Sequence, residues 1–131
     1  MTLESSLGMW GSLPQEPSHD EREGSTGATM VSYEVTATVV ATLTGEWEQF
    51  MCEHHIPALL ATGCFKGATL ARLGPGRYRT RYEAASRADL DRYLATHAAR
   101  LRDEFTARFP AGIALEREVA EVLQVWDPSP R

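Results

Sequence analysis

The sequence predicts one α+β domain of β-α-β-β-α-β order built on a four-stranded antiparallel sheet, and three features predict it. Val31, Tyr33, Val35, Ala37 and Val39 alternate with Ser32, Glu34, Thr36 and Thr38, the period of a strand with one buried face. Leu90, Tyr93, Leu94, His97, Leu101 and Phe105 recur at helical spacing, which places them on one side of a helix. Between these stretches, Gly74, Pro75 and Gly76 form a turn short enough to force its flanking segments to run antiparallel.

Taken in order, residues 1–29 hold Pro14, Pro17, Gly8, Gly11, Gly24 and Gly27 among many serines, threonines and acids, with no sustained period. They read as a flexible leader, carrying a small apolar island of Leu7, Met9, Trp10 and Leu13. The domain is expected over residues 30–126, and Met30 is a second candidate start for the chain. Thr44 is the expected N-cap of a first helix with Trp47, Phe50, Met51, His54 and Ala58 on its stripe and Gly63 as its stop. Pro57 lies inside it, which predicts a kink near His55 to Pro57. Residues 64–73 and 77–84 read as strands two and three. Ser86 caps one long second helix that ends before Pro110 and Gly112, and residues 114–126 form the last strand, with Val119, Leu123 and Val125 on one side. Residues 127–131 are a short tail.

This order is a split β-α-β motif used twice, the ferredoxin-like layout. Right-handed crossovers then set both helices on one sheet face. The other face stays open, carrying Ser32, Glu34, Thr36 and Thr38 from strand one and Arg77, Arg79, Arg81 and Glu83 from strand three, while Tyr78, Thr80 and Tyr82 point inward. Val122 and Trp126 are expected to join the open face, making it a candidate surface for pairing with a second copy.

Composition narrows the function classes. Hydrophobic residues at 43% and charged residues at 24% fit a packed globular domain. The formal charge of -5 sits almost wholly in the leader, so the domain offers no continuous basic surface for phosphates, which argues against nucleic acid as partner. No run of about 18 apolar residues is present to span a membrane, and the first residues lack the basic start and apolar stretch expected of a secretory signal. Cys52 and Cys64 match neither a zinc pattern nor a redox pair. Two reduced thiols in a cytoplasmic protein, with no metal and no cofactor, is the expectation.

The residues most able to carry chemistry are the histidines. His54 and His55 stand side by side before Pro57, and each imidazole titrates near neutral pH. Adjacent helical residues point about 100° apart, so only one can serve a given site. His54 falls on the apolar stripe of the first helix and His97 on that of the second, so both can line one space between helices and sheet, as core histidines or as catalytic bases. His55 reads as a boundary residue. Arg72, Arg79 and Arg81 lie on the hairpin strands, where a guanidinium can hold an anion or simply pair with Glu34 across the sheet.

From Tyr33 to about Val125, the segments YEVT, Trp47, EHHIPALLATGCF, RYRTRYEA and LDRYLATHAARL resemble an uncharacterised bacterial family of the dimeric α+β barrel group. The resemblance implies a homodimer whose open sheets pack face to face, with a pocket in each subunit between sheet and helices. Members of that wider group include cofactor-free monooxygenases, haem-binding enzymes, lactone isomerases and binding proteins, and fold alone does not choose among them. The pocket candidates are Trp47, His54, Arg72, Tyr82 and His97. A small-molecule-binding homodimer is the first expectation, a cofactor-free monooxygenase or isomerase with His54 or His97 as general base the second, and a purely structural dimerisation module the third.

Overall fold

Strand β1 (Val31–Val39), whose alternation is the cleanest in the chain, has neighbours on both sides. It runs antiparallel to β3 (Arg77–Ala84) and to β4 (Ile113–Glu121), and β2 (Gly67–Gly74) completes the sheet beside β3, giving the order β2-β3-β1-β4. The computed structural model describes residues 29–128, so the leader reading of residues 1–29 falls, apart from Thr29, outside the described residues, as does the end of the tail. The element order and the all-antiparallel sheet are those of the α+β, ferredoxin-like layout.

Register carries the inside and outside assignments across the strands. Val35 faces Thr80 and Arg117, while Ala37 faces Tyr78 and Leu115, so these residues share the helix-covered face. Tyr78, Thr80 and Tyr82 are all buried there. On the other face Glu34 lies between Arg81 and Glu118, and Thr36 lies between Arg79 and Glu116. Arg81 and Glu34 make the cross-strand ion pair, at 3.4 Å.

Two strand boundaries differ from expectation. β2 begins at Gly67 rather than at residue 64, and the apolar Cys64 and Phe65 before it are core residues in a loop. Their hydrophobicity reports burial, which at short range looks the same as a strand. β4 stops at Glu121 rather than at Trp126, because its one neighbour is β1 and Glu121 already faces Val31, the first residue of that strand. One further bond, from Val122 N–H to the Met30 carbonyl at 2.9 Å, closes the edge. Leu123, Val125 and Trp126 beyond it are 87%, 65% and 81% exposed, so Trp126 lies past the sheet and is not part of its open face.

The helical segments also differ in detail. A 3₁₀ turn (Ala41–Leu43) leads into α1 (Thr44–Phe50), and Thr44 Oγ1 donates back to the Ala41 carbonyl instead of capping the helix. A π-helical turn (Met51–His55) follows, and α2 (Ile56–Ala61) carries Pro57 in its first turn, where a missing N–H costs least. Gly63, at φ 79°, ends this run as expected. Ser86 Oγ accepts from Asp89 N–H and so caps the second helical run. That run is interrupted at His97 (φ −117°, ψ −27°), which separates α3 (Arg87–Thr96) from α4 (Ala98–Arg108).

The core has two halves. Tyr33, Phe65, Tyr82 and Tyr93 interlock at one end with Val31, Leu59, Leu90 and Leu101, while Trp47, Tyr78, Phe105 and Phe109 form the other with Ala37, Val39 and Met51. Aromatic pairs dominate both, with centroids 5.0 Å apart for Phe65 and Tyr93, inside the range where edge contacts are favourable, and 4.4 Å apart for Trp47 and Tyr78, at its short limit.

The β2–β3 turn is held against the end of β1 by a 2.7 Å bond from Val39 N–H to the Gly76 carbonyl. Gly76 has φ +73°, and a Cβ there would lie 2.7 Å from the Val39 carbonyl oxygen. Gly76→Ala is therefore expected to lower stability by about 2 kcal/mol, from left-handed strain plus the backbone clash. Gly67→Ala, which meets nothing within 4 Å, serves as the control, with urea unfolding as the measurement. Equal midpoints for the two variants contradict this account of the turn.

Candidate functional site

Where the two halves of the core meet, the interior holds a cavity of about 50 Å³. Since one water needs ~10–15 Å³ by this measure, the space is that of a few water molecules. Its lining draws on both halves: Tyr33, Leu59, Tyr82 and Tyr93 from one, Trp47, Met51 and Phe105 from the other. His55, Thr80, Arg102 and Arg117 bring polar groups into this otherwise apolar wall. Polar side chains converging on a buried space are the usual composition of a ligand site.

The helix chemistry decides which histidine arrives there. Trp47, Met51, His55 and Leu59 follow one another at steps of four and all line the cavity. In an α-helix each such step drifts by about 40°, or about 120° over three, which would turn one end of the row away from the sheet. The π turn removes the drift: Ile56 N–H bonds the Met51 carbonyl, five residues back, and this wider turn keeps the row facing inward. His55 thus enters the wall, while His54 is exposed, its ring 5.9 Å from that of Phe50. The expectation that His54 lies on the inner stripe is corrected by this one-residue change of phase.

His55 packs edge-on against Phe105 at 5.4 Å and stacks on Phe50 at 5.8 Å. Burial is the main cause that drives its pKa down to about 4, and the nearby Arg117 charge adds to it. At pH 7 the ring is neutral, able to accept a hydrogen bond or a proton. Burial likewise pushes the Tyr82 and Tyr93 phenols well above their usual range, so both stay protonated as donors.

Of the other expected pocket residues, Trp47 and Tyr82 line the cavity, and Arg72 and His97 do not. His97 sits at the α3–α4 break, its ring 6.4 Å from that of Tyr93 and its Nδ1 3.4 Å from Arg100 Nη2. Arg72 lies over the Tyr78 ring and donates to Glu48 Oε2 at 2.9 Å, where Tyr78 Oη also donates. The Tyr78 and Arg72 hydrogen bonds hold the Glu48 carboxyl below the usual range. Arg72 is thus engaged at the outer edge of the sheet, and Arg79 and Arg81 are on the open face.

Arg117 is the residue that sequence reasoning passed over. On β4, Ile113, Leu115, Arg117 and Val119 form the helix-facing row, and an arginine inside an apolar alternation was the available signal. Its Nε donates to Tyr33 Oη at 3.1 Å. Its Nη1, and Nε1 of Trp47, are buried with no acceptor. Among the described residues, no three or more His, Cys, Asp or Glu side chains gather as a metal site requires, and no helix is long and apolar enough to cross a membrane.

Comparison with known proteins agrees with the fold. Residues 30–123 match the model of the family described as Domain of unknown function (DUF4286), and the chain belongs to that family. No curated protein matches the sequence. Two solved structures are similar in architecture. One is NE2512, a protein of unknown function from Nitrosomonas europaea, at TM-score 0.63 and 14% identity over 79% of this chain and 99% of that one. The other is SnoaB, a cofactor-independent oxygenase from Streptomyces nogalater, at TM-score 0.60 and 21% identity over 78% of this chain and 100% of that one.

The Arg117 to Tyr33 bond is testable apart from any ligand. Tyr33→Phe leaves a buried charged donor without its acceptor and is expected to cost about 1–3 kcal/mol, whereas Tyr33→Phe combined with Arg117→Met removes both partners and costs less than the sum of the single changes. A coupling energy above about 1 kcal/mol from urea unfolding is the expected result. Simple additivity contradicts the bond.

Proposed function

We propose that this member of the family is a homodimeric small-molecule-binding protein whose ligand enters the cavity between the helices and the sheet. The observation that carries the reading is the wall itself. His55, Thr80, Tyr82, Arg102 and Arg117 converge on one internal space at the junction of the two core halves, and polar groups are normally excluded from such a position unless they have partners to meet. At about 50 Å³ the space suits a small molecule, and the flexible Met51 side chain in its wall offers room to adapt.

The dimer part of the proposal has its own support. On the open sheet face Arg77, Arg79 and Arg81 form a basic row along β3, while Glu116 and Glu118 form an acidic row along β4, with β1 between them. A two-fold axis running along β1 sets the basic row of one copy over the acidic row of the other. Such pairing is self-complementary, and its rim charges weaken with salt. Sedimentation at rising ionic strength checks it: a dimer that loosens from low to high salt is expected, and a monomer at all salts and concentrations contradicts it.

A second reading, catalysis without a cofactor, is favoured by one observation. His55 is neutral at pH 7 and stands in the wall of the cavity, so its ring is free to take a proton. With its pKa at about 4 it is a weak base without substrate, and an anionic substrate beside it would raise that value toward the working range. SnoaB, of similar fold, is a cofactor-independent oxygenase. Under this reading turnover of a bound substrate is lost in His55→Gln while binding survives.

The test of the first reading is thermal unfolding against a metabolite panel. A ligand at a hundredfold excess over its Kd adds ~2.7 kcal/mol, which for a domain of this size raises Tm by on the order of 10 °C. Filling the space with Ala98→Leu should abolish the shift, whereas Arg72→Ala, outside the cavity, should leave it intact. A panel in which no compound raises Tm contradicts the reading.

A further inference from the structure

We infer that the ligand of this cavity is a small carboxylate, bound through Arg117 with Trp47 supplying a second donor. The inference rests on the reading of the cavity as a ligand site and names its chemistry. Trp47 is 1% exposed, yet its Nε1–H has no acceptor. Arg117 uses Nε on Tyr33 Oη, and its buried Nη1 is without a partner. Both side chains line the same cavity. Each orphan is a donor, so each calls for an acceptor, a role that water or a ligand oxygen fills, and the charge of one of them favours an anionic oxygen. A buried donor left unmade is expensive in a folded interior, and a charged one more so.

The charge balance points the same way. The cavity wall contains two guanidinium groups, Arg102 and Arg117, and no Asp or Glu. Among the described residues neither of these arginines forms an ion pair, whereas Arg72, Arg81, Arg87, Arg92, Arg100 and Arg108 all do so toward the surface. His55 adds no negative charge and is held neutral by its surroundings. An anion entering this space meets uncompensated positive charge in a low-dielectric setting, where attraction is strongest.

A carboxylate fits better than a neutral amide or a bulkier phosphate. Ionised, it is an acceptor only, with about four lone-pair sites, enough to take Arg117 Nη1–H and Trp47 Nε1–H together without bringing a donor that would itself be left unpaired. Its flat shape matches the guanidinium fork. A cavity of about 50 Å³ suits an acid of two or three carbons, with its apolar end toward Met51 and Leu59.

The experiment is a titration of the full chain with sodium acetate and sodium propionate, each against its neutral amide and against sodium chloride at matched ionic strength. It follows the Trp47 indole N–H cross-peak by NMR, which reads weak binding directly. Saturable movement of that peak with the carboxylates is expected, at least about tenfold weaker with the amides, since a guanidinium discriminates strongly by charge. Arg117→Met should weaken the carboxylates by about the same factor, Arg117→Lys by less because charge remains without the fork, and Arg100→Met, on the outer surface of α4 and in neither the cavity wall nor the open sheet face, should leave carboxylate binding unchanged. Equal binding of acids and amides overturns the carboxylate assignment while leaving a ligand cavity in place. Carboxylate binding unchanged in both Arg117 variants also overturns it, as does a Trp47 peak unmoved by every probe, while the small-ligand reading beneath it falls only if the thermal panel also finds no stabilising compound.

Discussion

The functional reading depends on one turn of backbone. A row of side chains at steps of four, Trp47, Met51, His55 and Leu59, has to lie against a sheet, and a regular α-helix cannot keep such a row straight. The chain answers with a π turn (Met51–His55) in which an N–H reaches five residues back. This widening also eases the approach of Pro57, which lacks an N–H and whose ring crowds the turn before it. Local proline chemistry and the demand of the core are met by the same irregularity, and its consequence is the position of one imidazole. Turns of this kind concentrate at functional positions.

The second constraint is the polarity of what that turn faces. An all-apolar filling at the junction of the two core halves would be more stable than His55, Thr80, Tyr82 and Arg117 together, because each buried polar atom has to find a partner or forfeit its hydration. Part of the set is satisfied internally, as when Tyr33 Oη accepts from Arg117 Nε at 3.1 Å. Part is not, and the unsatisfied atoms are all donors. An interior that gives up stability at one point, and with one sign of polarity, is what supports the proposal that a ligand enters it. The outer cluster of Arg72, Glu48 and Tyr78 is the contrast: its charges are mutually engaged near solvent, and it supports the edge of the fold.

The fold was legible because its signals are local and periodic. Alternation over Val31–Val39 survives as the central strand, Ser86 caps the helix it was expected to cap, and Gly63 and Gly76 take the positive φ their turns require. Boundaries were less legible where the deciding partner is distant, as at Glu121, whose strand ends because β1 begins opposite it. The site was legible in part. The inward positions of Trp47 and Tyr82 could be read from spacing, since strand parity and the first helical turns carry no phase shift there, while the pocket itself was what the resemblance implied. His54 and His55 could not be told apart, because a π turn shifts phase by one residue and leaves only an unbroken spacing of four as its trace. His97 sits on a helix break that no proline or glycine announces. Arg117 was hidden differently: its place on the apolar row of β4 was readable, but its significance came from its buried, unpartnered Nη1 and the absence of an acid in the cavity wall.

The central claim is that the π turn carries His55, and with it a neutral imidazole, into the wall of an internal cavity. An NMR titration of the His55 ring nitrogens tests it most directly. Burial and the Arg117 charge predict that the ring stays neutral through the mildly acidic range and gains its proton only near pH 4. A midpoint near the ordinary value of about 6.5 would place the ring in solvent and contradict the account.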